Sequence, residues 1–450
     1  MNGIARGALV MSNVFLSTAF IYYASKEAGC LDENDESIED CNNKVHGFAP
    51  AALVTNIAVI SGLLSAFLMP LIGAIVDYTR YRRITGIGTS ILIILIQATQ
   101  IVLFESTWYY MLILQAIAGF LYQVLVLVCY AYLPDMARAV GQTTMTKHTS
   151  TFVMTQFSSQ LSFLLLIIAI SIAISSKDYM TARISQAVNV CWVGFAFFRG
   201  WRQLPEMPAT HQLPEGRSII LQGFFQIYNT TKDINKNYAN SLRWFLLSIV
   251  FAEATVNAFT SVSVVFLADH IGMNGTQVGI FYAIVLFSSL PGSYFSLKVS
   301  SRLNPNHCMK LSLAMLFVVS YVGALTLQRD SFVTAYIWGI FVGFCLGWFY
   351  PAENLFFSMC LPKGHEAEIA GFFVYSTQIL GWLPPLLFSV LVDNNISQKF
   401  GLMAVAAFFI PAIGFLFLTP SWPEVLAEVR EERSTKELQV PSESSNEEDV

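Results

Sequence analysis

A helix of about twenty apolar residues spans the roughly 30 Å of hydrocarbon in a bilayer, and this chain is built largely of such runs. Twelve can be read along the sequence, near residues 7 to 25, 49 to 72, 84 to 104, 107 to 133, 150 to 175, 184 to 204, 242 to 268, 278 to 297, 308 to 327, 332 to 361, 367 to 392 and 401 to 420. Inside lipid every backbone N–H and C=O must be satisfied within the spanning structure, which leaves helices or a closed barrel. No stretch alternates apolar and polar residues over about ten positions, so a barrel is excluded. With 55% hydrophobic and 12% charged residues, the chain is too apolar for a water-soluble globule of its length. The expected fold is all-α, with twelve transmembrane helices.

The longest polar stretches follow the first and the sixth runs. The second of these divides the chain into six helices over residues 1–204, a central loop over 205–241, six helices over 242–420 and an acidic tail over 421–450, the plan of two fused helical bundles. Lys and Arg are retained on the cytoplasmic side of a membrane. An arrangement with the N-terminus inside places nineteen of the twenty-five Lys and Arg on that face, so both termini and the central loop are expected in the cytosol. The run after Arg6 lacks a small-residue cleavage site and reads as a retained first span. A net charge of −5 with no basic stripe leaves nothing for a nucleic acid to dock on. Cys30 and Cys41 bracket the acidic loop after the first span, on the face where an oxidising compartment permits a disulfide. The other five cysteines lie in or beside spans. The Ser- and Glu-rich tail cannot bury enough apolar surface to order itself.

No nucleotide loop, paired-His metal motif or nucleophile elbow is present, so neither an enzyme nor a cofactor is expected. Chemistry must come from polar groups inside apolar helices, where a charge costs about 2.5 to 3.5 kcal/mol and persists only with a compensating role. Glu253, in the seventh span, shares one helix face with Asn257. Glu353 and Asn354, in the tenth, follow Pro351, which cannot donate a backbone hydrogen bond and so frees a carbonyl one turn earlier. Asn13 in the first span and Gln115, Tyr122 and Gln123 in the fourth are further polar interior candidates. Each group has two readings, a transport role or a hydrogen bond joining helices. No Lys or Arg is read as lying deep in a span. Such an interior suits zwitterionic, neutral or cationic solutes better than phosphates or dicarboxylates.

Gly73-Ala74-Ile75-Val76-Asp77, followed by Arg80, Arg82 and Arg83, resembles the signature loop between the second and third helices of the major facilitator superfamily. Tyr78 stands where that pattern usually has Arg, and Arg80 where it has a second Gly. In such a loop Gly73 would let two helices approach, Asp77 would face a helix N-terminus and the arginines would pair with acidic residues. More specifically, Leu361-Pro362-Lys363-Gly364-His365-Glu366, with Gly371-Phe372-Phe373, Gly381-Trp382-Leu383-Pro384-Pro385 and Met69-Pro70-Leu71-Ile72-Gly73, resembles the autophagy-related vacuolar amino-acid effluxers. That resemblance implies a monomeric carrier that exports small solutes, chiefly neutral amino acids, from the vacuole or lysosome by alternating access, with proton coupling open. It also implies that the first, fourth, seventh and tenth spans line the cavity, placing Glu253 and Glu353 on it. A carrier for sugars, nucleosides or organic cations, or a receptor built on the same fold, remains the alternative.

Overall fold

The computed structural model describes residues 1–31, 41, 43–132, 142–209, 213, 218–237, 239–300, 302–360 and 366–428. The acidic stretch 32–40, Arg138, the segment 361–365 and the tail beyond 428 lie outside the described residues.

The first half comprises α1 (Asn2–Glu27), α2 (Pro50–Tyr78), α3 (Arg82–Gln100), α4 (Trp108–Ala131), α5 (Gln142–Ala173) and α6 (Asp178–Gln203). A connecting helix, α7 (Ile219–Asn237), precedes α8 (Asn240–Val265), which ends in a π-turn over Phe266–His270. The second half continues with α9 (Gly275–Ser300), α10 (Pro305–Thr326), α11 (Phe332–Cys360), α12 (Glu366–Ser376), α13 (Leu383–Asp393), α14 (Gln398–Ala406) and α15 (Phe409–Phe417). Among the described residues nine helical stretches are long and apolar enough to cross a bilayer, α14 and α15 together forming one. The other three expected spans are helical too. α3 opens with two arginines, α6 buries Gln186 and Asn189, and the eleventh span is split.

That split corrects the continuous run expected over residues 367–392. The helix stops at Ser376 and restarts at Leu383, with Pro384 in its first turn. Proline fits a helix start, where its missing N–H is not needed, but not a helix interior. Gly62 of α2 packs into the gap, where a Cβ would lie 2.8 Å from the Trp382 nitrogen.

Inside the second half, α9 and α11 share the most extensive helix contact. Added Cβ atoms on Gly292, Gly343 and Gly347 would run into the carbonyls of Phe344, Val285 and Ser289. Small residues let transmembrane backbones approach where lipid provides no hydrophobic drive.

The two halves meet at the end opposite the N-terminus. Asp178 Oδ1 accepts the Gly275 N–H at 2.8 Å, Ser171 and Thr276 hydroxyls lie 2.7 Å apart, and Asp393 Oδ1 accepts the Ala49 N–H at 2.8 Å. Phe15 of α1 packs against Gly279 of α9 beneath this polar rim. Each bond joins one half to the other, so the halves are held together at this end. Past the end of α1, Cys30 and Cys41 form a disulfide with Cα atoms 5.6 Å apart.

The central loop is partly helical. α7 seats Gln222 and Gly223 on α2, with Gly223 directly over the Pro70 carbonyl. Its Ile220, Phe224 and Tyr228 are exposed, an outward apolar side of the kind interfacial helices carry.

Candidate functional site

Glu253 on α8 and Glu353 on α11 come together from helices a hundred residues apart. They are 7% and 3% exposed, and their carboxyl groups are in hydrogen-bond contact. An ionised carboxylate only accepts, so two carboxyls bond each other only when one holds a proton. Two ionised carboxylates so placed in a low-dielectric interior would repel each other. Asn257, one turn along α8, donates its Nδ2 to Glu253 Oε2 at 3.3 Å, so the face expected from helical spacing is assembled. Tyr350, one turn before Glu353, interacts electrostatically with both carboxyls and with Tyr122 and Tyr130 of α4 across the interface between the halves.

The remaining sequence candidates are placed differently. Asn354 is exposed and spends its amide on the Tyr350 carbonyl of its own helix at 2.8 Å. The carbonyl that Pro351 frees, that of Gly347, accepts from Ser293 Oγ at 3.0 Å, so a neighbouring helix answers it. Asn13 and Gln123 are half-buried and make no side-chain hydrogen bond to a described residue. Gln115 takes the joining role, accepting from Gln100 Nε2 at 2.9 Å.

Arg6, expected just before the first span, is drawn into the first turns of its helix. Helix α1 begins at Asn2, five residues before the expected span, so Arg6 sits a turn inside it and is 8% exposed. Its guanidinium lies 5.7, 5.9 and 5.4 Å from the ring centres of Tyr122, Tyr130 and Phe152, and it interacts electrostatically with the two tyrosine hydroxyls. Nε and Nη1 are buried without a hydrogen-bond partner among the described residues. The signal for this burial was available in Gly3 and Gly7, small residues spaced one turn apart around Arg6. A Cβ on Gly7 would stand 2.6 Å from the Gln156 carbonyl, so α5 packs against α1 beside the arginine.

The signature loop makes its expected contacts in part: Arg83 finds an acidic partner, whereas Gly73 is not a point of helix approach. A Cβ on Gly73 would meet nothing within 4 Å, so this glycine is not a point of close helix approach; Gly223 is. Arg82 is buried, bonds the Ala131 carbonyl at 3.1 Å and lies over the Tyr132 ring. Arg83 bonds the Trp201 carbonyl at 3.1 Å and pairs with Glu206 at 3.6 Å. Arg80 is exposed. Asp77 accepts from Gln226 of α7 at 3.5 Å, which ties the loop to the connecting helix.

The family described as "Vacuole effluxer Atg22 like" matches residues 4–421. No curated protein matches the sequence. Among solved structures, a mutant form of the nucleoside transporter NupG superposes with a TM-score of 0.60 at 12% identity, covering 93% of this chain and 99% of that one. The inward-open xylose transporter XylE from E. coli gives 0.61 at 13% identity, with coverage of 95% and 98%. A D-xylose–proton symporter gives 0.61 at 12% identity, with coverage of 94% and 98%. At such identities the likeness is one of fold, and the fold is that of the major facilitator transporters.

Proposed function

The chain belongs to the Atg22-like vacuole effluxer family, and from that membership we propose that it carries neutral amino acids from the vacuole or lysosome to the cytosol by alternating access. The observation that supports this reading is the buried Glu253–Glu353 pair on the helices that line the cavity of such carriers. An ammonium entering the site replaces the shared proton between the two carboxyls, which gives solute movement a route to proton coupling. The excess of basic residues on the N-terminal face supports a cytosolic position for both termini and α7, with the opposite end, where the halves are held together, toward the lumen.

Counterflow in proteoliposomes loaded with pooled amino acids tests the substrate. Accumulation of labelled neutral amino acids is expected. Accumulation of only sugars or nucleosides, the solutes named for the neighbouring structures, would overturn the substrate assignment, and no exchange of any solute would favour a receptor. Orientation is tested by Lys236→Cys, which a membrane-impermeant reagent should leave unlabelled from the lumenal side.

A further inference from the structure

We propose that Arg6 seats the carboxylate of the transported solute, opposite the Glu253–Glu353 pair that takes its ammonium, so the cavity recognises a zwitterion at both ends. The inference rests on the amino-acid reading above and deepens it.

A guanidinium carries five N–H donors and stays charged in a protein, so burying it calls for acceptors or an anion. Among the described residues Arg6 is met by three surrounding rings, two of them phenols, whose electron-rich faces attract the cation. Nε and Nη1 are left without a hydrogen-bond partner among the described residues. A buried, unmatched donor set marks a place built for an acceptor that arrives.

The surroundings show which acceptor. Tyr122 and Tyr130, which flank Arg6, interact in turn with Tyr350, and Tyr350 borders both carboxyl groups of the pair. The phenol of Tyr350 thus lies within electrostatic reach both of the rings around Arg6 on the first half and of the two carboxyls on the second. A dicarboxylate or phosphate would bring excess negative charge toward Glu253 and Glu353. A simple amine would leave Arg6 unanswered. A solute with one carboxylate and one ammonium answers both, and Arg suits the carboxylate because its fork can bind two oxygens.

The test uses the full chain in proteoliposomes, with labelled alanine competed by unlabelled alanine, by alaninamide, which lacks the carboxylate, and by lactate, which lacks the ammonium. A thermal-shift titration of the same three compounds reads binding without transport. Wild type should prefer alanine to alaninamide by about thirtyfold or more, and Arg6→Gln should lose most of that preference. Arg6→Lys, which keeps the charge but not the fork, should fall between them. An assembled Arg6→Gln that retains the wild-type ratio overturns the proposal. If Arg6→Gln does not assemble, an unchanged ratio in Arg6→Lys does so. If wild type is stabilised by lactate but not alanine, and Arg6→Gln by neither, the carboxylate seat stands while the amino-acid reading falls. If no carboxylate compound stabilises wild type, both fall.

Discussion

Helices α1 and α8 open the two halves, and α4 and α11 are the fourth helices of each, so the pairs hold corresponding positions in a duplicated architecture. α1 and α8 are the most enclosed of the nine candidate spans, with 78% and 72% of their apolar windows buried. Their buried charges are opposite in sign. α1 carries Arg6 beside Tyr122 and Tyr130 of α4, whereas α8 carries Glu253 beside Tyr350 and Glu353 of α11. Duplication supplies matching positions, and divergence has filled them with complementary chemistry. The interior therefore differs in charge between the two halves, which a symmetric arrangement would not.

The largest expected effect comes from neutralising the acidic side. Glu353→Gln keeps size and most hydrogen bonding but removes a titrating group; exchange should fall about a hundredfold and lose its pH dependence, as should Glu253→Gln. Wild-type transport by both variants across pH would reduce the pair to a bond between helices and erase the contrast between halves. Next is the loop that follows each opening helix. The loop after α1 is closed covalently, while the turn after α8 is held by hydrogen bonds such as Met273 N–H to the Leu267 carbonyl. Cys30→Ser should lower unfolding stability by about 3 kcal/mol, measured by denaturant titration, and peptide mass spectrometry of the non-reduced parent should find the two cysteines linked. Both cysteines alkylated in the parent would refute the bridge.

Helix packing beside the two charge sites sharpens the comparison further. Gly347→Ala, which places a methyl against the Ser289 backbone, should destabilise by about 2 kcal/mol in thermal unfolding, and Gly7→Ala on α1 by about 1 kcal/mol. Gly73→Ala should change stability by less than about 0.5 kcal/mol, since open space surrounds that position. A severe loss at Gly73 would restore the close-approach role that the superfamily pattern suggests.

Most of the fold was legible because the bilayer imposes one length and one composition on every span. Glu253 and Glu353 were legible for the same reason, as isolated charges in apolar runs. Their contact was not, because no local pattern pairs α8 with α11. Arg6 was misread because a basic residue beside an apolar run ordinarily belongs to the flank; only its packing against α5 carries it inside. The split at residues 377–382 was marked by Pro384 and Pro385, but hydropathy averages over such a break. α7 was hidden because its polar side faces protein and its apolar side faces outward, the reverse of a soluble amphipathic helix.

α7 has a mechanical consequence. Its first turns rest on α2, where Gln222 bonds the Tyr78 hydroxyl at 2.9 Å, and its last turns rest on the second half, where Ile234 packs with Leu242 and Phe245 and Asn235 bonds Arg243 at 2.7 Å. A rod of 19 residues, about 28 Å long, thus bears on both rocking bodies at once. Any rotation of one body against the other would have to strain one of these two bearings. The strut thus couples the two halves mechanically through a segment that belongs to neither bundle.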